Sequence, residues 1–111
     1  MARPVKVRRV CEEPKYTRFV PEGAGEKEPI VLTTEELEVI RLVDHVKMTH
    51  EECAAQMGIS RTTATELYES ARSKIANALI EGKVLCVDGG NYRVCEGGEC
   101  DHSCLRKKDV N

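Results

Sequence analysis

Apolar residues recur at three- and four-residue steps through the middle of the chain and change to alternate positions near its end. The first helical stretch places Leu37, Ile40 and Val43 on one face, with Val39 and Leu42 beside it, and runs to about Val46. Thr33 and Glu36 have capping-box spacing at its start, and Leu32 and Leu37 sit where a hydrophobic staple belongs. The same signature returns with Thr49 and Glu52, flanked by Met48 and Cys53. This second helix is expected to end at Gly58, and Ser60 to cap a third. Ala64, Leu67, Tyr68, Ala71, Ile75, Ala78 and Leu79 then continue as a core stripe, closed by Gly82.

The flanks read differently. Pro4, Pro14, Pro21 and Pro29 interrupt any helix in residues 1–31, and Val20 to Pro29 reads as a linker. After Lys83, Leu85 and Val87 alternate with polar neighbours, Gly89-Gly90 offers a turn, and Tyr92 and Val94 alternate again. That pattern predicts a β-hairpin pairing Val87 with Tyr92 and Leu85 with Val94. The resulting division is an extended basic arm and linker (1–31), a helical domain (32–82), a hairpin (83–95) and a Cys-rich tail (96–111). The fold class expected is mainly α: a three-helix bundle with an N-terminal arm and a C-terminal hairpin.

Residues His50 to Glu69 carry the spacing of a helix-turn-helix. Ala54 is small where two helices cross, Gly58 is free to take a positive φ in the turn, and Ser60 opens the next helix. In this motif the first turn of the second helix enters the DNA major groove. The expected groove contacts are Ser60, Arg61, Thr62, Thr65 and Glu66. Arg61 can read guanine through its fork or simply hold a phosphate. Arg72 and Lys74 would touch the backbone, and an arm carrying Arg3, Lys6, Arg8 and Arg9 would follow phosphates or the minor groove. The bland alternatives are a packing unit or protein-binding surface for the helices and a solvated terminus for the arm.

The net charge of −2 over 111 residues is not that of a simple basic binder. Its distribution changes the picture. Residues 1–19 hold six Lys/Arg against two Glu (+4), 20–52 three against nine (−6), 53–84 four against three (+1), and 85–111 four against five (−1). Positive charge gathers in the arm and near the third helix, while the acidic middle predicts weak non-specific binding. No apolar run approaches the roughly 18 to 20 residues that cross a bilayer. The N-terminus lacks the apolar stretch of a secretory signal. A cytoplasmic location is expected, with no membrane partner and with the six cysteines reduced or metal-bound rather than paired as disulfides.

Cys95, Cys100 and Cys104, with His102 between the last two, are soft ligands suited to zinc or an iron–sulfur cluster. In the hairpin register Cys86 would lie diagonal to Cys95 and offer another ligand. The alternative is a reduced, unstructured tail. Cys53 reads as a small buried hydrophobe, Cys11 as a bystander near the arm, and His45 and His50 as surface residues.

Met1-Ala2-Arg3-Pro4, Arg8-Arg9-Val10, Pro14, Phe19, Pro21 and Gly23 resemble the N-terminal signature of a family of small prokaryotic proteins. That family is called domain of unknown function one-three-four and is regarded as DNA-binding. The likeness continues through Leu32-Thr33, Glu51-Glu52, Met57-Gly58-Ile59-Ser60-Arg61, Glu69-Ser70-Ala71-Arg72 and Gly89-Gly90. Leu32 to Leu79 is also similar to the fourth region of bacterial sigma factors, which reads promoter DNA. The resemblance implies a sigma-region-4-like bundle on double-stranded DNA, with a regulatory role and RNA polymerase or another regulator as protein partner.

The expected function is therefore sequence-specific DNA binding in transcription regulation. A metal- or redox-responsive switch built on the C-terminal cysteines and a protein-binding adaptor are the competing readings. A homodimer is compatible with paired half-sites. An enzyme is not expected: Gly23-Ala24-Gly25 does not extend to a dinucleotide fingerprint, no phosphate loop is present, and no acid–base pair can be placed in a common cleft.

Overall fold

The structure is a computed structural model that describes residues 8–11, 13–90 and the backbone of 92–94. Three helices form its centre. Thr33 caps α1 (Thr34–Ile40): its hydroxyl accepts from the Glu36 N–H, and the Glu36 carboxylate accepts from the Thr33 N–H at 2.9 Å. Thr49 and Glu52 repeat that reciprocal pair at the start of α2 (His50–Met57). Gly58 then takes φ +71°, and Ser60 caps α3 (Arg61–Glu81) by accepting from the Thr63 N–H at 3.1 Å. Gly82, at φ +65°, closes α3.

The first helix departs from the sequence expectation. Regular α-helix stops at Ile40, and a π turn covers Arg41–His45. There the Val46 N–H donates to the Arg41 carbonyl five residues back (2.8 Å), and Lys47 adopts φ +75° to redirect the chain. The wider turn keeps Leu42 in the core and sets Asp44 against α3, where it accepts from the Tyr68 hydroxyl (2.8 Å).

Five short strands flank the helices: β1 (Arg8–Val10), β2 (Arg18–Phe19), β3 (Ile30–Leu32), β4 (Leu85–Val87) and β5 (Tyr92–Val94). The predicted hairpin does not form. β4 lies between β2, antiparallel, and β3, parallel, so both of its edges are occupied. β5 instead runs parallel to β1, in the register Arg8↔Tyr92 to Val10↔Val94. The parallel β3–β4 pair needs a crossover, which the three helices supply. Gly89-Gly90 is not a two-residue hairpin turn but a loop over the start of α1, where the Thr34 N–H donates to the Gly89 carbonyl (3.1 Å).

Two hydrophobic clusters meet at α1. Val39 and Leu42 join Cys11, Cys53, Ala54, Met57 and Ala64 on the α2–α3 side. Leu37 and Ile40 pack toward Leu32, Ala71 and Val87 on the sheet side. Ala64, Ala71 and Ala78, two turns apart along α3, let neighbouring backbones approach closely. Leu79, expected in the same stripe, is 76% exposed.

The segment expected to be a free arm is part of the fold. Val10 and Cys11 are buried, and the Cys11 N–H donates to the Glu38 carboxylate (3.0 Å). Cys11 is disulfide-bonded, contrary to the expectation of reduced or metal-bound cysteines. Cys53 and Cys86 are free thiols, and burial pushes the Cys53 pKa up to about 12.

Candidate nucleic-acid interface

α2 and α3 are joined through Gly58, Ile59 and Ser60. The Gly58 and Ile59 N–H groups bond back to the carbonyls of Ala55 (3.3 Å) and Ala54 (3.0 Å). Arg9 fastens this turn from outside: its guanidinium donates to the carbonyls of Gln56 (3.1 Å) and Ala55 (2.8 Å). A cation at the end of α2 satisfies acceptors the helix itself leaves open. The turn and the start of α3 are thereby held on the scaffold, although nothing in the spacing of Arg9 reveals that role.

The residues expected at the interface divide into two sets. Arg61, Thr62 and Glu66 are exposed on the first turns of α3, and among the described residues their side chains make no hydrogen bond or ion pair. Ser60 is exposed too, but its hydroxyl serves Thr63, accepting from the N–H and donating to the side-chain oxygen (2.9 Å). Thr65 turns toward α2, where its hydroxyl shares a hydrogen bond with His50 Nδ1 (2.9 Å). His50 is therefore half-buried rather than a surface residue, and its ring meets Tyr68 edge-on at 4.8 Å.

The cations are engaged unequally. Arg72 lies over the Tyr68 ring at 5.3 Å and 3.4 Å from the Asp44 carboxylate, yet its side chain stays 62% exposed. The bond to Asp44 raises the Tyr68 pKa, because ionising Tyr68 would lose a donor beside a carboxylate. Lys74 does not present its charge outward. It donates to Glu36 at 2.7 Å, and Ser70 donates to the same carboxylate. Burial opposes ionisation of Glu36, but Lys74, Ser70 and the Thr33 N–H outweigh it and hold its pKa below the ordinary 4.5.

Arg8 and Arg9 are corrections to the arm reading. Arg8 pairs with buried Glu35, and Arg9 is spent on α2, because strand β1 lies against α1 and α2. Arg3 and Lys6 lie outside the described residues, as do Cys95, Cys100, His102 and Cys104. Cys86 does not meet β5: its strand neighbours are Arg18 and Val31, and Arg18 donates to its sulfur at 3.5 Å. The hairpin register that set it diagonal to Cys95 is therefore absent. No group of three or more metal-ligating side chains occurs among the described residues. No helix among them is long and apolar enough to cross a membrane.

The exposed face of α3 thus carries Arg61 and Arg72 together with Glu66 and Glu69. It can accept one or two phosphates and offers both donors and acceptors to a polar partner. The Asp44–Tyr68–His50–Thr65 contacts that orient it could not be read from spacing, since they join residues from three elements across a π turn.

The family model described as protein of unknown function DUF134 matches residues 1–95. A UPF0251 protein of Desulfitobacterium hafniense strain Y51 is 42% identical over 112 residues, covering 97% of this chain and 90% of its own. One from Thermoanaerobacter sp. strain X514 is 44% identical over 110 residues, covering 97% of both. One from Methanococcus vannielii is 46% identical over 102 residues, covering 88% of this chain and 78% of its own. No solved structure matches. With its first 95 residues matched by the family model and near-full-length relatives above 40% identity, the chain belongs to the DUF134 (UPF0251) family.

Proposed function

We propose that this protein is a sequence-specific DNA-binding regulator acting in the cytoplasm. In this reading α2 and α3 form a helix-turn-helix similar to the fourth region of sigma factors, and the first turns of α3 enter the major groove. The observation that carries the reading is the unengaged ridge Arg61, Thr62 and Glu66 on a helix start fixed by Ser60, Gly58 and Arg9. Arg61 is the base- or phosphate-reading cation, Thr62 a phosphate or thymine-methyl contact, and Arg72 a backbone contact further along. Lys74, Arg8 and Arg9 are positioning residues, since their charges are used within the molecule.

Selection of bound duplexes from a random pool tests this directly, with enrichment of a common sequence as the expected result. On that sequence Arg61→Ala should cost about 1–3 kcal/mol and relax preference at one position. Equal losses on selected and random duplexes would assign Arg61 to phosphate alone, and failure to enrich any duplex at low salt would reject DNA binding.

The disulfide at Cys11 favours a second, redox-responsive reading. Gln56 of α2 donates to the Cys11 sulfur at 3.3 Å, next to the Arg9 contacts that hold the turn. A dithiol would reduce the S–S bond to two thiols while becoming a disulfide itself, and the reading expects duplex affinity to change on that treatment. Equal affinity before and after would dismiss it.

A further inference from the structure

Glu66 is the acidic member of the exposed ridge at the start of α3. It stands one turn beyond Thr62, and among the described residues its side chain makes no hydrogen bond or ion pair. Its neighbours three and four residues away along the helix are Thr62, Thr63, Glu69 and Ser70. The helix therefore offers it no counter-ion and sets a second carboxylate beside it. Cations further along α3 are used elsewhere: Arg72 lies 3.4 Å from the Asp44 carboxylate and Lys74 2.7 Å from that of Glu36. Packing does not account for Glu66 either. In this part of α3 the buried contacts belong to Ala64 and Ala71, and the polar contacts that orient the helix belong to Thr65 and Tyr68.

We propose that Glu66 is a specificity-determining residue that selects a cytosine in the major groove. This role rests on the DNA-binding reading and adds a base preference to that of Arg61. A carboxylate only accepts hydrogen bonds. Brought against DNA, it is repelled by phosphates and by the acceptors of the groove, which are guanine O6 and N7, adenine N7 and thymine O4. Taking its charge out of water is offset only where a donor meets it. The donors the major groove presents are the amino groups of cytosine and adenine. Adenine sets the N7 lone pair beside its amino group, where it opposes the second carboxylate oxygen, whereas cytosine has a C–H there. Cytosine is therefore the base that fits. Every other base is rejected by an unpaired charge as well as by a lost bond. The helical rise puts Glu66 about 7.5 Å beyond Arg61 along α3, roughly two base-pair steps, so the cytosine lies within about three pairs of the position that Arg61 contacts.

Duplexes selected from a random pool by the full chain, in parent form and as Glu66→Gln, Glu66→Ala and Arg61→Ala, test this. The parent should enrich a sequence with a fixed cytosine within about three pairs of the position that Arg61→Ala relaxes. Glu66→Gln should enrich adenine there instead, because an amide both donates and accepts and so matches adenine N6 and N7. Glu66→Ala should show no preference at that pair. Replacing this C·G pair by T·A should weaken the parent about tenfold or more, and Glu66→Ala less than about threefold. A parent sequence without such a cytosine would overturn the role of Glu66 alone. So would retention of the cytosine by both Glu66 variants with equal gains in affinity on selected and random duplexes, which is the behaviour of a charge that only repels phosphate. Failure of the parent to enrich any duplex would remove the DNA-binding reading and this role together.

Discussion

Gly90 shows how closely one backbone position can be specified. It sits at φ +105°, and a Cβ added there would collide with Glu35 Oε1 and lie 3.3 Å from the Thr34 nitrogen. Gly89, at φ +72°, has open space around it. Gly90→Ala should therefore cost about 2–3 kcal/mol, against about 1 kcal/mol for Gly89→Ala, in paired urea titrations. Equal losses would show that only the dihedral matters. Glu36 offers a second residue-level test. Its folded pKa lies below the ordinary 4.5, so the unfolded chain binds more protons as pH falls through that range. The stability it contributes is present above about pH 4.5 and is lost on further acidification through the folded pKa. Unfolding free energies between pH 7 and 3 should fall less steeply for Glu36→Gln than for the parent protein. Parallel slopes would mean that Lys74 and Ser70 do not favour the carboxylate.

At the level of elements, the helix starts repeat one device. Thr33 and Thr49 each occupy the same place in a reciprocal cap, four bonds in all that satisfy donors no helix can satisfy internally. Thr33→Ala and Thr49→Ala should each lower stability by about 1 kcal/mol, and the double variant by about the sum, because the two caps share no partner. Thermal melts of the three proteins check this. A Thr49→Ala variant that melts like the parent would show that α2 is held by Cys53, Ala54 and Met57 rather than by its cap. The end of α2 follows a different logic. Its carbonyls are met by an arginine from β1, so a helix terminus depends on a strand near the start of the chain.

Across the whole molecule, the N-terminal segment and the strands after α3 close the fold around the helices. Val10 is 1% exposed, and β1 contacts both α1 and α2 while pairing with β5. Removing residues 1–11 should therefore lower the melting temperature by more than 10 °C and weaken the cooperativity of unfolding. A freely hanging arm would leave the melt unchanged. The same packing decides which charges reach a partner. Arg8, Arg9 and Lys74 are bound within the molecule, and Arg61 and Arg72 remain on the outer face.

The amino-acid sequence alone determined the features whose partners lie within one or two helical turns. The caps at Thr33, Thr49 and Ser60, the glycine stops at Gly58 and Gly82, and the burial of Cys53, Ala64 and Ala71 all follow from local spacing. A backbone donor and a threonine oxygen three residues apart meet whenever the helix begins, whatever surrounds them. Tertiary structure alone decided the strand partners, the path of the Gly89-Gly90 loop, the fate of Arg8, Arg9 and Lys74, and the exposure of Leu79. An alternating strand such as Leu85–Val87 can pair with any free edge, and here β2 and β3 filled both edges and left β5 to β1. Likewise a basic residue in a sequence carries its charge but not its counter-ion, and for Arg8 and Lys74 that counter-ion is a buried glutamate supplied by α1.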